Sequence, residues 1–458
     1  MRKFESVVRG IFLSILLVSV SGVSWADVSA SSGKSIDQRI EELEQEVQLL
    51  KRQREVDREV QAKKDLETPV VKVSQDGIGL QSQDQNFTMK FHGLVQADGR
   101  YYANDNTSAG SNTYLIRRLR PYIDGTVYKY FDYRLVTDFG NNATVLQDAF
   151  IDFKYWKQAS LKFGKFKSPI GIERLQSDAS MMFMEFALST NLVPNRDIGI
   201  DLHGELFDGV LNYDAGIFNG ALDGANGDAN DAHDDKEAAG RIFLQPFKNT
   251  TYDSLSGLGL GLGGSYGTAH GTTNTIPTYK SDGQQNIFTY APASGSVFAH
   301  GPRYRLAPQA SYYYGPLGVL SEWVLSSEQL NVGTLSKRIN NNGYQIAASY
   351  VLTGENNSYS GIAPHNIFDP RNGKWGAFEI ATRFSQLDID KNVFPSFSNA
   401  LTQVRAAKAW GLGLNWYLNK NVRVMTDFFQ TFFQDGGAVD GAIRKNENAI
   451  LTRVQFNI

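Results

Sequence analysis

The sequence predicts an all-β fold: a sixteen-stranded antiparallel transmembrane β-barrel behind a short N-terminal periplasmic coiled-coil helix. Three observations predict it. Apolar and polar residues alternate with period two through many short segments, as walls with one lipid-facing and one lumen-facing side require. Aromatics make up 12% of the 458 residues and there are 43 glycines, yet mean hydropathy is only −0.32. The one long apolar run lies in Met1 to Val23, which leaves no material for a bundle of membrane helices. Aromatics also gather beside turns, at Tyr128, Tyr130, Phe131 and Tyr133, at Tyr155 and Trp156, at Tyr312 to Tyr314, and at Trp416 and Tyr417, as interfacial girdles do.

Taken in order, residues 1–26 read as a signal peptide. Arg2, Lys3 and Arg9 supply a basic start, Ile11 to Val20 an apolar core, and Ser24-Trp25-Ala26 a cleavage site after Ala26. Residues 27–69 form a periplasmic coiled-coil segment and linker. Its seam is Ile36, Ile40, Leu43, Val47 and Leu50, spaced four and three apart with charged flanks, and Pro69 stops any helix. Residues 70–86 are a linker into the barrel, which occupies 87–458.

Within the barrel, Phe87, Met89, Phe91 and Val95 alternate with Thr88, Lys90, His92 and Gln96. Trp410, Leu412, Leu414 and Trp416 alternate with Gly411, Gly413 and Asn415, and the chain ends on Val454, Phe456 and Ile458 alternating with Arg453, Gln455 and Asn457. The pattern gives strands near 87–102, 114–128, 133–139, 147–155, 160–166, 196–206, 210–218, 238–246, 258–267, 302–314, 317–327, 338–352, 375–388, 405–418, 421–433 and 446–458. Short connections alternate with long ones, so the short set is periplasmic and the long set extracellular; 353–374 is long yet periplasmic. The third outer connection, about 167–195, does not alternate and carries an apolar run around Met181 to Leu188. In a chain of strands and turns, a segment this long reads as functional. It is expected to fold into the lumen and narrow it.

Charge is uneven. From Thr113 to Pro169 there are ten basic and five acidic residues, an excess of five in a chain whose total is −3. Alternation points Arg118, Arg120, Arg134, Lys154 and Lys162 inward. Basic rings favour anions, and Arg suits two-pronged contact with oxyanions. Asp124, Asp138, Asp148 and Asp152 share that face, so a charge-balanced lumen is the alternative. Lys165, Lys167, Arg174 and Arg196 border or belong to the long loop and join Arg117 among the candidate pore-lining, anion-binding residues.

Other chemistry finds little support. With no cysteines there is no disulfide or thiolate site. The six histidines show no metal spacing, and no GxSxG occurs. The acidic stretch Asp223 to Glu237 lacks the terminal Glu of an EF-hand loop and reads as a solvated outer loop. No catalytic, metal or cofactor site is expected, and no nucleic-acid partner.

Several motifs together resemble the phosphate-selective porin O and P family. They are Ile116-Arg117-Arg118-Leu119-Arg120-Pro121-Tyr122, Asp138-Phe139-Gly140, Leu161-Lys162-Phe163-Gly164-Lys165-Phe166, Gly171-Ile172-Glu173-Arg174, Arg196-Asp197-Ile198-Gly199, Leu352-Thr353-Gly354-Glu355 and Trp375-Gly376-Ala377-Phe378-Glu379. The resemblance runs from about Phe87 to Ile458. It implies a homotrimer of sixteen-stranded barrels in the Gram-negative outer membrane, contacting lipid and lipopolysaccharide and passing phosphate, polyphosphate or other small anions. By position, Arg117 and Arg118 match the paired arginines of the family's second strand, Lys162 matches the lysine before Phe-Gly on the fifth, and Arg174 matches the basic residue at the constriction. Leu94 stands where phosphate-selective members carry an arginine, and Ile458 where barrels usually end on an aromatic. The readings set beside this one are a pore for another anionic or neutral solute and a structural or adhesive outer-membrane protein.

Overall fold

The computed structural model describes residues 35–75, 77–103, 110–227, 234–271, 276–292, 295–435 and 444–458. The proposed signal peptide lies outside the described residues. The chain forms two compact units that divide at Asp65 and Leu66.

The first unit is the helix α1 (Ile36–Glu67). Ser35 begins it with a capping box: its hydroxyl accepts from the Gln38 amide at 3.3 Å, and its own amide donates to the Gln38 side chain at 3.2 Å. The helix runs past Arg54 and Asp57, where the apolar seam ends, and stops before Pro69. Its seam is open, with Leu43 59% and Leu50 55% exposed.

Among the described residues, the second unit holds twenty strands. They are β1 (Val70–Ser74), β2 (Gly77–Gln81), β3 (Phe87–Tyr102), β4 (Thr113–Val127), β5 (Phe131–Asp138), β6 (Val145–Trp156), β7 (Ala159–Phe166), β8 (Asp197–Leu206), β9 (Leu211–Phe218), β10 (Glu237–Leu244), β11 (Leu258–His270), β12 (Tyr279–Lys280), β13 (Asn286–Phe288), β14 (Val297–Tyr314), β15 (Leu317–Val332), β16 (Leu335–Val351), β17 (Ala377–Asp388), β18 (Ala406–Tyr417), β19 (Val422–Gln434) and β20 (Glu447–Asn457). Leaving out β1, β2 and the small β12–β13 hairpin, sixteen strands pair antiparallel with their neighbours, and β20 closes on β3. This is the barrel that the alternation implies. Its outer face carries the apolar set, for example Leu412 at 61% and Trp410 at 55% exposure.

The segment 70–86 is more than a linker. β1 and β2 form a hairpin, and β2 pairs with the start of β3, from Ile78 opposite Phe91 to Gln81 opposite Thr88. The reason is an open edge: β20 reaches down β3 only as far as Leu94. Without β2, the residues below would leave a row of ladder groups unpaired. Gly77 makes the turn possible. Its φ is +103°, and a Cβ there would lie 2.3 Å from the Phe91 carbonyl.

The lumen is more filled than one inward loop would make it. The outer connection between β11 and β14 carries the β12–β13 hairpin inward, and the connection between β17 and β18 follows. Tyr279, Ile287, Phe288 and Tyr290 pack with Val393, Phe397 and Val404 against Leu188, Leu192 and Val193 of the long loop. The wall beneath them is apolar too, with Val324, Leu330, Ile339, Ala407 and Ala409 fully buried. The segment 352–376, at the short-turn end of the barrel, also folds inward: the Ser360 carbonyl accepts from the Ser180 hydroxyl at 2.7 Å, and the Tyr359 carbonyl accepts from Gln176 at 2.9 Å. The expected outer loop at 327–337 is instead a tight turn, because β15 and β16 continue to Val332 and from Leu335.

Candidate functional site

The long loop, 167–196, leaves the top of β7 and contains the single-turn helix α2 (Ile172–Leu175). Its middle lies extended along the wall formed by β17 to β20 and β3. Wall side chains catch its carbonyls in succession. Gln96 donates to Asp178 at 3.1 Å, Gln455 to Ala179 at 2.9 Å, Arg423 to Met181 at 2.8 Å, Asn415 to Met182 at 2.9 Å, Arg453 to Met184 at 2.8 Å and Arg383 to Glu185 at 2.9 Å. Asp427 accepts from the Met184 amide at 2.7 Å. These bonds satisfy the backbone polar groups that an extended segment would otherwise bury unpaired. They also hold the loop to one side, and three cavities lie mostly beside β4 to β11, with β14 lining the last.

Two acids of the loop reach the basic wall. Glu185 takes both prongs of Arg117, at 2.6 and 3.0 Å, and meets Arg100 at 3.2 Å and Arg453 at 3.5 Å. Asp178 meets Arg118 at 3.2 Å, Arg196 at 3.9 Å and Arg120 in direct contact. Burial alone would raise both carboxyls, but the cations around them outweigh it and hold both well below the ordinary carboxylate range.

A bulge explains how two consecutive arginines serve one lumen. Gln96 faces Arg118 and Ala97 faces Ile116, so Arg117 is the extra residue in β4. A bulge turns its residue out of strict alternation, and Arg117 therefore joins Arg118 inside. Period two alone would send it to the lipid.

Three cavities follow the open side in series. The outermost, about 610 Å³, is lined by Arg117, Arg118, Arg120, Arg174, Arg196 and Lys280 with Asp138, Asp178, Glu185 and Asp223. The middle one, about 350 Å³, has Arg120, Arg134, Lys162, Lys167 and Arg196 with Asp148, Asp178, Asp201 and Asp214. The innermost, about 890 Å³, has Lys154, Lys157 and Arg241 with Glu205 and Asp214. Outer and middle share Arg120, Asp178 and Arg196; middle and inner share Asp214. In each lining, basic residues outnumber acidic ones: six to four, five to four and three to two.

The cations divide into two kinds. Arg117, Arg118, Arg120, Lys154 and Arg196 are tied to carboxylates. Among the described residues, Arg174, Lys280, Arg134, Lys162, Lys167, Lys157 and Arg241 have no carboxylate oxygen within 4.0 Å. Arg174 lies over the Phe186 ring at 4.2 Å and donates to the Thr190 carbonyl at 3.1 Å. Its Nε and that of Arg134 make no hydrogen bond with a described residue. Burial pulls Arg174 down to about 10, so it stays charged at neutral pH, whereas Lys167, which donates to the Gln176 carbonyl at 2.6 Å, is pulled to about 7. Lys162 sits over Phe150 and Phe166, and Arg134 over Tyr122.

Nine of the ten candidate side chains thus line the lumen, and Lys165 does not. It pairs with Ala149 and Ile198, on the face shared by Phe163 and Ile200, both exposed toward the lipid side. Its neighbours Lys162 and Gly164 take the inward positions, so alternation itself excludes it. The stretch from Asp223 to Glu237 also differs from a solvated loop at its ends. Asp223 pairs with Arg305 at 2.7 Å, and Glu237 with Arg303 and Arg305 at 2.6 Å, all buried; residues 228–233 lie outside the described ones. Sequence reasoning missed Asp178 and Glu185 because it sought cations in the loop. It missed Lys280 because only one loop was expected inside. Arg383 and Arg453 were visible as polar members of alternating strands, without a sign of what they hold.

Residues 88–458 match the family of phosphate-selective porins O and P. Porin O of Pseudomonas aeruginosa is 23% identical over 424 residues, which span 84% of this chain and 92% of that protein. Among solved structures, the outer membrane channel DcaP of Acinetobacter baumannii aligns with a TM-score of 0.53 at 10% identity, covering 82% of this chain and 99% of that one. The structural likeness concerns the fold. The match across the whole barrel, with the arginine pair, the inward-folded loop and the closed sheet in place, shows that the chain belongs to the phosphate-selective porin O and P family.

Proposed function

We propose that this protein is a passive outer-membrane channel selective for small anions, with phosphate and polyphosphate the leading solutes. Family and barrel indicate a channel rather than an enzyme. The observation that carries the reading is the row of three cavities that share lining residues, each with a basic excess and each with cations that have no carboxylate oxygen within 4.0 Å among the described residues. A permeating anion meets Arg174 and Lys280, then Lys167, Arg134 and Lys162, then Arg241 and Lys157. Each can attract it without first breaking an internal ion pair, and no single group holds it tightly, as conduction requires. The bilayer faces the aromatic side chains at the short-turn rim, Tyr128, Phe131 and Trp156, which suit the lipid and lipopolysaccharide interface. In planar bilayers under a salt gradient, the reversal potential is expected to carry the sign of anion preference, and added phosphate to alter the current. A cation-selective current, or none, overturns the reading.

The exposed seam of α1 supports a homotrimer as the working assembly. Ile40, Leu43, Val47 and Leu50 are about half exposed, and a short heptad seam gains stability by packing against a partner helix, which in a homotrimer is another copy. The chain has no cysteine, so introduced ones report cleanly. Leu43→Cys is expected to cross-link copies on oxidation, while Gln45→Cys, on the outer face of the same turn, is not. Equal linking at both positions would remove the seam from the interface.

A further inference from the structure

The window between the outer and middle cavities is framed by Arg120, Arg196 and Asp178, the side chains common to both linings. Asp178 is buried, and its carboxylate lies among three guanidinium groups, those of Arg118, Arg120 and Arg196. Lys167 adds a fourth attraction. Planar forks converging on one set of oxygens are what an oxyanion seat consists of. Here the oxygens belong to the protein. Arg120 also holds Asp138 at 2.6 Å and Arg196 holds Asp148 at 3.1 Å, but the only carboxylate that Arg118 meets among the described residues is Asp178. Arg118, Arg120 and Arg196, joined by Lys167 where it is protonated, thus face three carboxylates around the window.

We propose that Asp178 is a resident counter-anion and the selectivity-determining residue of the window. It fills the seat that the wall arginines form, so that phosphate-like anions pass with weak binding instead of lodging there. The inference rests on the anion-channel reading above. Neutralising Asp178 adds one net positive charge at the window and leaves Arg118 without a carboxylate partner among the described residues, held by Gln96 at 2.7 Å. The seat then has the charge and donors to hold a free oxyanion. The main chain of the loop keeps its own tie, because Gln96, which Gln455 also orients, holds the Asp178 carbonyl rather than its carboxylate.

The experiment compares wild type, Asp178→Asn and Asp178→Asn/Arg118→Gln in bilayers, with inorganic phosphate titrated against a chloride current. Asp178→Asn is expected to be half-blocked at about tenfold lower phosphate than wild type and to show a higher anion-to-cation permeability ratio. The double variant removes one charge of each sign, leaves no buried arginine unpaired, and still empties the seat. It is expected to block at about threefold lower phosphate than wild type, between wild type and the single variant. Wild-type block in the single variant, or in the double variant where the single one does not fold, overturns the inference while wild type remains anion-selective. A cation-selective wild type overturns the underlying reading instead.

Discussion

Arg174→Glu is expected to abolish or invert the anion preference of the channel. Arg174 is held by α2 at the entrance to the outer cavity, over Phe186, and makes no ion pair among the described residues. Its charge is therefore not paired off at contact, although Asp178, Glu173 and Glu322 attract it from farther away. The substitution turns a lining of six basic and four acidic residues into five and five. Two unit charges change at once. Each is worth about 1 kcal/mol at contact in a water-like medium, so the pair shifts ion partitioning by about 2 kcal/mol, or roughly thirtyfold. The reversal potential under a salt gradient reads this directly. Arg174→Gln is expected to fall between the two. Lys165→Glu supplies the control, since it makes the same change in formal charge two positions from Lys167 but on the outer wall. An unchanged reversal potential in Arg174→Glu would remove Arg174 from the path. An equal shift from Lys165→Glu would show that net charge, not placement in the lumen, sets selectivity.

That control also marks what alternation can reveal. Period two counts outward and inward positions correctly along β7, and applied strictly it puts Lys162 inside and Lys165 outside. Grouping the lysines by sequence proximity lost that distinction. The same rule misplaces Arg117, because a bulge shifts the phase by one and leaves no mark in the hydrophobic pattern. The family motif, which pairs Arg117 with Arg118, carried that information instead. Strand number was legible because lipid demands a closed wall with no free edges. What fills the wall was less so. The inward hairpin of β12 and β13, and Val393 and Phe397 opposite it, belong to segments whose apolar residues follow no period. Their partners lie about a hundred residues away along the chain. The hairpin of β1 and β2 was hidden differently: its need arises from where β20 stops on β3, a register that the sequence of either strand alone does not state.

The Arg453→Met variant is expected to lose about 3–5 kcal/mol of barrel stability and to loosen the constriction loop. Arg453 is 2% exposed and grips Asp98 with both prongs at 2.7 Å. A third donor reaches the Met184 carbonyl at 2.8 Å, and Glu185 lies 3.5 Å away. One side chain thus joins the closing seam between β20 and β3 to the loop that narrows the lumen. Removing it strands Asp98 as a buried charge, and that penalty exceeds what the pair contributed by forming. Replacing Asp98 as well, as Asp98→Leu/Arg453→Met, relieves the stranded charge. It cannot restore the donor to Met184. Stability and constriction should therefore separate. Urea unfolding in detergent, followed by tryptophan fluorescence, is expected to drop sharply in the single variant and recover most of the loss in the double. Single-channel recordings are expected to show larger and noisier conductance in both, because the loop has lost the same hook in each. If the double variant regained the wild-type conductance along with its stability, the carbonyl bonds from the wall would not be what holds the loop in place. The width of the lumen would then be set by the apolar packing around Leu188 and Leu192 alone.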